Sequence, residues 1–193
     1  SSKIKPRKIF SICIGNIYLG GTGKTPTTIK LYQILNSIFK GTVAAKKFYS
    51  SQYDEIILLK RKTKFLTGDN RSEIINKAIN SRKKIIIFDD GLQDKGVNYN
   101  LKFVCFDSFN WIGNGQLIPS GPLREKLNSL KKFDAVFLKN MTKTNHKITS
   151  LIKAINPKIK IFNFKYKIKN LNKFNLSKKY LIFSGIGSPD NFK

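Results

Sequence analysis

The sequence predicts an α/β fold in which an open, mostly parallel β-sheet is flanked by helices. Short apolar runs typical of strands alternate along the chain with segments of helical spacing. The run 85–88 is apolar on both faces, as expected where helices cover both sides of a parallel sheet. A glycine-rich stretch lies between the first strand and the first helix. In such sheets, ligands bind at the carboxyl ends of the strands.

The elements follow one another in a regular order. Strands are predicted at the apolar or β-branched runs 9–14, 42–45, 85–88, 101–106, 135–138, 159–162 and 180–183. Helices are predicted at 25–39, 71–79 and 146–155, because apolar residues recur there every three to four positions. The last helix closes before Pro157. Residues 54–59 are compatible with more than one structure.

The charge balance indicates an anionic partner. The 193 residues include 37 Lys and Arg against 11 Asp and Glu, a net charge of +26. Nucleic acid, a phospholipid leaflet and a phosphorylated substrate all fit this charge. The abundance of Lys, Asn and Ile also fits an AT-rich coding sequence without any such partner. No run approaches the ~20 apolar residues of a membrane-spanning helix, and the start lacks a signal peptide's apolar stretch.

The cysteines and the histidine suggest no metal centre. Cys13 and Cys105 lie inside apolar strand runs, so we expect reduced core residues. His146 stands alone at a predicted helix start and cannot begin a zinc site.

The sharpest local signal lies between the first strand and the first helix. It follows the phosphate-loop pattern G-x-x-x-x-G-K-[ST] with tyrosine in place of the first glycine: Tyr18, Leu19, Gly20, Gly21, Thr22, Gly23, Lys24, Thr25. In such loops backbone N–H groups point at phosphate oxygens, the lysine reaches the β- and γ-phosphates and the threonine hydroxyl binds Mg²⁺. The alternative is a glycine-rich turn that precedes a lysine by chance. The pattern predicts a P-loop NTPase-like nucleotide-binding domain, which we place at residues 1–164.

Two acidic residues follow the apolar run 85–88. Asp89 and Asp90 should reach the same sheet edge as Lys24 and Thr25, a Walker-B-like arrangement in which an aspartate helps to hold Mg²⁺. The alternative is a simple turn at this point. Either aspartate could contact the metal.

A long loop, residues 113–125, is rich in glycine and proline and ends in Arg124 and Glu125. Long ordered loops in compact domains tend to be functional. By composition alone, an ordinary surface loop is an equal alternative.

Four motifs in this order resemble the tetraacyldisaccharide 4'-kinases, the lipid A 4'-kinases of Gram-negative bacteria. They occupy residues 15–26, 89–93, 113–125 and 185–189. The similarity runs over residues 9–192, and the family's phosphate loop shares the missing first glycine.

The resemblance implies transfer of the ATP γ-phosphate, with Mg²⁺, to the 4'-hydroxyl of an acylated glucosamine disaccharide 1-phosphate, giving lipid IVA at the cytoplasmic face of the bacterial inner membrane. It implies the catalytic residues Lys24, Asp54, Asp89 and Asp90, with Thr25, Asp89 and Asp90 as the metal ligands. Asp54 resembles an aspartate proposed to help deprotonate the attacking hydroxyl. Gln93, Arg124 and Glu125 match active-site positions of the family. The basic excess would then hold the domain to an anionic membrane surface.

Three departures from the family pattern are visible. Tyr53 stands in place of the glycine before Asp54, and a helix N-cap is the alternative role for Asp54. Asp94 stands where the family commonly has histidine. Family members extend beyond both ends, so we expect a fragment, with a linker at 165–179 and the start of a second lobe at 180–193.

Two other functions remain open. A P-loop ATPase could use its basic surface to bind nucleic acid, although the chain has no usual nucleic-acid-binding signature and we expect no such partner. A nucleotide-binding fragment without catalysis is the other alternative.

Overall fold

The computed structural model describes residues 9–94, 96–140, 145–167, 172, 174, 175 and 177–181. Its strands are β1 (Phe10–Gly15), β2 (Thr42–Lys47), β3 (Phe65–Gly68), β4 (Ile85–Asp89), β5 (Leu101–Asp107), β6 (Ala135–Lys139) and β7 (Lys160–Phe164). Its α-helices are α1 (Lys24–Ile38), α2 (Tyr53–Lys62), α3 (Arg71–Asn80) and α4 (His146–Ile155). Two short 3₁₀ helices lie at Ser50–Gln52 and Leu127–Lys132.

The strands form one seven-stranded sheet in the order β3-β2-β4-β1-β5-β6-β7. Every pairing between neighbours is parallel. The predicted α/β fold with a parallel sheet is therefore confirmed. Because β1 lies between β4 and β5, the segments that follow β1 and β4 meet at the same edge, which positions the site.

The core covers both faces of the sheet. On β4, Ile86 and Phe88 pack with residues of α3, whereas Ile87 faces the other way and packs with residues of α1 and α2. The alternation follows from the period of two along a strand. Cys13 and Cys105 are free and fully buried in this core, and burial raises the pKa of the Cys105 thiol to about 12.

The structure differs from the sequence analysis in three single elements. The undecided segment 54–59 belongs to α2, and β3 was not predicted because its four half-buried residues carry no alternating pattern. Tyr180 and Leu181 are not in a strand, so that part of the prediction for 180–183 is wrong, while 182–183 and the motif 185–189 lie outside the described residues. Within the described residues, no helix has both the length and the apolarity to cross a bilayer.

Candidate functional site

The glycine-rich loop leaves the end of β1 and enters α1 as a phosphate loop would. Gly23 caps α1 with a left-handed backbone, φ 83°, which glycine adopts without strain. Among the described residues no side chain caps the helix, so its first N–H groups are available to an anion. The Thr22 hydroxyl is buried and has no hydrogen-bond partner among the residues that the structure describes. A free helix terminus and an unsatisfied hydroxyl fit a bound phosphate chain.

Asn16, just after β1, holds the shape of this loop. Its side-chain amide donates hydrogen bonds to the carbonyls of Tyr18, at 2.6 Å, and Gly20, at 3.2 Å. The loop is also tied to residues 113–125, since the N–H of Leu19 donates to the carbonyl of Pro122 at 2.8 Å. The two glycine-rich segments therefore lie side by side at the edge of the sheet.

Asp89 lies beneath the loop and is fully buried, with an exposed fraction of 0%. One carboxylate oxygen accepts hydrogen bonds from the Thr25 hydroxyl at 2.9 Å and the Lys46 ammonium at 3.1 Å. The other accepts from the Thr28 hydroxyl at 3.2 Å. Because the Thr25 hydroxyl donates its hydrogen to Asp89, the lone pairs of its oxygen remain free to bind a cation.

Sequence reasoning missed Lys46, whose exposed fraction is 1%. Its ammonium contacts Glu55 on α2 at 2.7 Å as well as Asp89. Burial works against its charge, but the carboxylates of Asp89 and Glu55 outweigh burial and raise the pKa of Lys46. Burial also raises the pKa of Asp89, while Lys46 acts to lower it. The only sequence signal was a lysine at the end of an otherwise apolar strand run.

Asp90 has a strained backbone, with a φ of 61°. Its carbonyl accepts a hydrogen bond from the Arg71 guanidinium at 2.6 Å, which supports this conformation. Its carboxylate faces Lys24 at 3.7 Å and Arg124 at 3.5 Å. One of its carboxylate oxygens is buried and accepts no hydrogen bond from the described part of the chain. A strained residue with an unsatisfied oxygen is typical of a functional position.

The donor set fits magnesium when a nucleotide is also bound. Within the described part of the chain, no three His, Cys, Asp or Glu side chains cluster closely enough to hold a metal by themselves. Mg²⁺ in nucleotide sites is held by one or two carboxylates together with substrate phosphates. Thr25 and Asp90 offer the hard oxygen atoms that such an ion prefers.

A cavity of about 680 Å³ opens beside Asp90. Its wall includes the basic residues Lys47, Arg71 and Arg124 and the apolar residues Leu117 and Ile118. This mixture suits an anionic ligand that also carries apolar groups.

Three residues that the resemblance singled out meet next to this cavity. Gln93 donates hydrogen bonds to the carbonyl of Asn16 at 2.8 Å and to the carboxylate of Glu125 at 3.3 Å. The guanidinium of Arg124 donates to the Gln93 carbonyl oxygen at 3.5 Å. The loop 113–125 thus delivers its last two residues to the end of β4.

Asp54 is not joined to this cluster. It is exposed in the first turn of α2, and its side chain makes no hydrogen bond or ion pair with any other residue that the structure describes. Its neighbour Glu55 contacts Lys46 instead. The helix N-cap is Gln52, so the N-cap role considered for Asp54 is wrong. Asp94 forms an ion pair with Arg71 at 2.5 Å, which gives it a partner of its own.

Comparisons with known proteins agree with the fold and with the resemblance. A curated tetraacyldisaccharide 4'-kinase of Pelagibacter ubique is 44% identical over 194 residues, which cover 98% of this chain and 62% of that protein. The corresponding protein of Rickettsia akari is 32% identical, over 97% of this chain and 60% of that protein. The chain therefore spans less than two thirds of the length of these relatives.

Solved structures show the same architecture. LpxK from Aquifex aeolicus in complex with ATP superimposes with a TM-score of 0.63 at 19% identity, over 84% of this chain and 56% of that chain. The signal recognition particle 54 kDa protein from Aeropyrum pernix in complex with GDP gives a TM-score of 0.59 at 13% identity, over 86% of this chain and 43% of that chain. At these identities the likeness shows a shared fold.

The family profile described as tetraacyldisaccharide-1-P 4'-kinase matches residues 5–193. Because this match covers nearly the whole chain, the chain belongs to the tetraacyldisaccharide-1-P 4'-kinase family.

Proposed function

We propose that the protein transfers the γ-phosphate of ATP to the 4'-hydroxyl of a tetraacyl glucosamine disaccharide 1-phosphate. The observation that carries this proposal is the buried Thr25–Asp89 hydrogen bond beneath a glycine-rich loop, with an open basic cavity beside it. The first feature suits a metal–nucleotide complex, and the second suits an anionic acceptor. Family membership supports this choice of acceptor.

The nucleotide would bind between the loop 18–25 and the end of β4. Lys24 would leave Asp90 for the phosphates, which carry more negative charge than one carboxylate. Thr25 and Asp90 would then hold Mg²⁺, with Asp89 fixing the orientation of the Thr25 hydroxyl. When bound, the ion supplies positive charge that offsets the charge on the transferring phosphate. Catalysis here consists mainly of positioning and charge neutralisation.

The acceptor would enter the cavity beside Asp90. Gln93, Arg124 and Glu125 would orient the sugar at the phosphate, since they form a connected set there. Asp54 would assist in removing the proton from the attacking hydroxyl. That role requires α2 or the acceptor to bring the two together, because Asp54 is exposed and has no partner among the described residues.

The basic excess supports a peripheral position at the cytoplasmic face of the bacterial inner membrane. Lys and Arg near an anionic leaflet contribute about 1 kcal/mol each, so a modest cluster would hold the protein to the surface that carries its lipid substrate. In this arrangement residues 1–164 form the nucleotide-binding domain, 165–179 a linker and 180–193 the start of a second lobe.

The test is an assay with ATP, Mg²⁺ and radiolabelled tetraacyl disaccharide 1-phosphate. We expect label on the lipid, and for Lys24→Ala a loss of about 10³-fold in transfer, because the variant lacks the ammonium that contacts the phosphates. Lys30→Ala is the matched control, since Lys30 is an exposed lysine on the same helix.

Two outcomes would contradict the proposal. ATP turnover stimulated by DNA or RNA and unaffected by the lipid would favour the nucleic-acid ATPase. Tight ATP binding by calorimetry without transfer to the lipid would favour a nucleotide-binding fragment.

A further inference from the structure

Lys46 is one of the largest fully buried side chains among the described residues, and no step proposed above uses it. Lysine is almost never fully buried unless it is paired. Here the pairing is double: the ammonium lies 3.1 Å from Asp89 and 2.7 Å from Glu55. The sheet order produces the first contact, because β2 and β4 are neighbours, and the first turn of α2 produces the second.

Without Lys46, two carboxylates from different elements would point at one position. Converging carboxylate oxygens are what divalent ions bind in proteins. Lys46 places one positive charge at that position and forms an ion pair with both acids. It therefore does at this point what a metal ion would do, with a group that the chain itself supplies.

Asp90 differs from Asp89 in the kind of cation that faces it. Its partners Lys24 and Arg124 lie farther away, at 3.7 and 3.5 Å, and their side chains are 11% and 27% exposed. Both can move toward bound phosphates. Lys46 is enclosed by the fold. If it moved away from Asp89, the Asp89 carboxylate would be left buried without its counter-charge, which costs several kcal/mol.

We propose that Lys46 is a resident cation that fills the gap between Asp89 and Glu55 and keeps divalent ions out of the site until a nucleotide is bound. The inference rests on the proposed metal-dependent kinase function. Its consequence is an order of loading: the metal arrives with the nucleotide and is held by Thr25, Asp90 and phosphate oxygens. Lys46 is a positioning residue in this scheme, because it acts on Asp89 and Glu55 and not on the substrate.

The experiment is a titration with Mn²⁺ followed by electron paramagnetic resonance, which measures binding without any turnover. The wild-type protein should bind Mn²⁺ weakly alone and tightly with ATP. Lys46→Met should bind Mn²⁺ without ATP about tenfold or more tightly than wild type, because the two acids are then free. Lys46→Arg, which keeps the charge, should resemble wild type.

Two further variants separate this effect from a general loss of positive charge. Lys77→Met removes a lysine that pairs with Glu73 on the exposed face of α3, and should bind Mn²⁺ like wild type. Lys46→Met combined with Glu55→Gln should lose the gained binding, because one of the two acids is gone. Circular dichroism checks the fold of each variant. If Lys46→Met does not fold, Lys46→Gln takes its place, and it should also bind Mn²⁺ without ATP more tightly than the wild-type protein.

Tight Mn²⁺ binding by the wild-type protein without ATP would overturn the proposal, as would a folded Lys46→Met or Lys46→Gln with no gain. Failure of the wild-type protein to bind Mn²⁺ even with ATP would contradict the proposed function instead. The two failures are therefore distinguishable.

Discussion

The proposed nucleotide side and the proposed acceptor side of the site are built in different ways. On the proposed nucleotide side, Asp89 and Lys46 are buried, the hydrogen bonds to Asp89 are 2.9 to 3.2 Å long, and Lys46 forms an ion pair with Glu55 at 2.7 Å. On the proposed acceptor side, Gln93 is exposed, Arg124 and Glu125 are half-buried, and their mutual contacts are 3.3 and 3.5 Å long. The first region is held together by short contacts in the core of the fold, whereas the contacts of the second are longer and less buried. Removing a side chain should therefore cost stability on the nucleotide side and substrate recognition on the acceptor side.

The largest effect on stability is expected for Asp89→Ala. This change leaves the ammonium of Lys46 buried with only Glu55 beside it and deprives Thr25 and Thr28 of their acceptor. Breaking one partner of a buried ion pair costs about 3–5 kcal/mol. Urea denaturation measures the free energy of unfolding, and Asp69→Ala, at an exposed position, is the control. A loss below about 1 kcal/mol would mean that the nucleotide side is not preorganised as described.

A smaller effect on stability is expected for Asp90→Asn, at the boundary of the two regions. Asparagine tolerates the left-handed backbone, and the ion pairs that the substitution removes are long. The free energy of unfolding should therefore fall by about 1 kcal/mol or less. Phosphate transfer should nevertheless fall by about 100-fold, because the proposed Mg²⁺ site would lose its charged ligand. Denaturation and the lipid kinase assay on the same preparation test both parts. If Asp89→Ala and Asp90→Asn lowered the free energy of unfolding by the same amount, the two aspartates would not differ in their contribution to stability as we expect.

The smallest effect on stability is expected for Arg124→Ala, on the acceptor side. The guanidinium is partly exposed and its contacts are long, so the free energy of unfolding should fall by about 0.5 kcal/mol or less. The KM for the lipid should rise about tenfold, while ATP affinity by calorimetry should change little. Lys132→Ala, at an exposed cation at the end of the 3₁₀ helix Leu127–Lys132, serves as the control. A large fall in ATP affinity would show that Arg124 contacts the nucleotide and not the lipid acceptor.

Much of the fold was predictable because its signals are local. The strands β1, β4, β5 and β6 are apolar runs, and the bounds of α4 were predicted as observed because Pro157 marks its end. The edge strand β3 was missed, since a four-residue strand that is half-buried throughout carries neither an apolar run nor an alternation.

The site was predictable only in part. Lys24, Thr25, Asp89 and Asp90 were found from motif spacing, and the structure brings them together. Lys46 was missed because a lysine at the end of a strand run looks like a solvated residue until its neighbours are known. Asp54 was selected by resemblance, whereas the structure joins the adjacent Glu55 to the cluster, a difference of one helical position that sequence spacing does not resolve.

The sequence by itself determined the alternation of strands and helices, the phosphate loop and the family, since periodicity, glycine placement and motif order are properties of neighbouring residues. Only the tertiary structure decided which charges meet. Lys46 and Asp89 are separated by 43 positions. They touch because the crossover connections place β2 beside β4, and a buried lysine is stable only where that sheet order supplies its carboxylates.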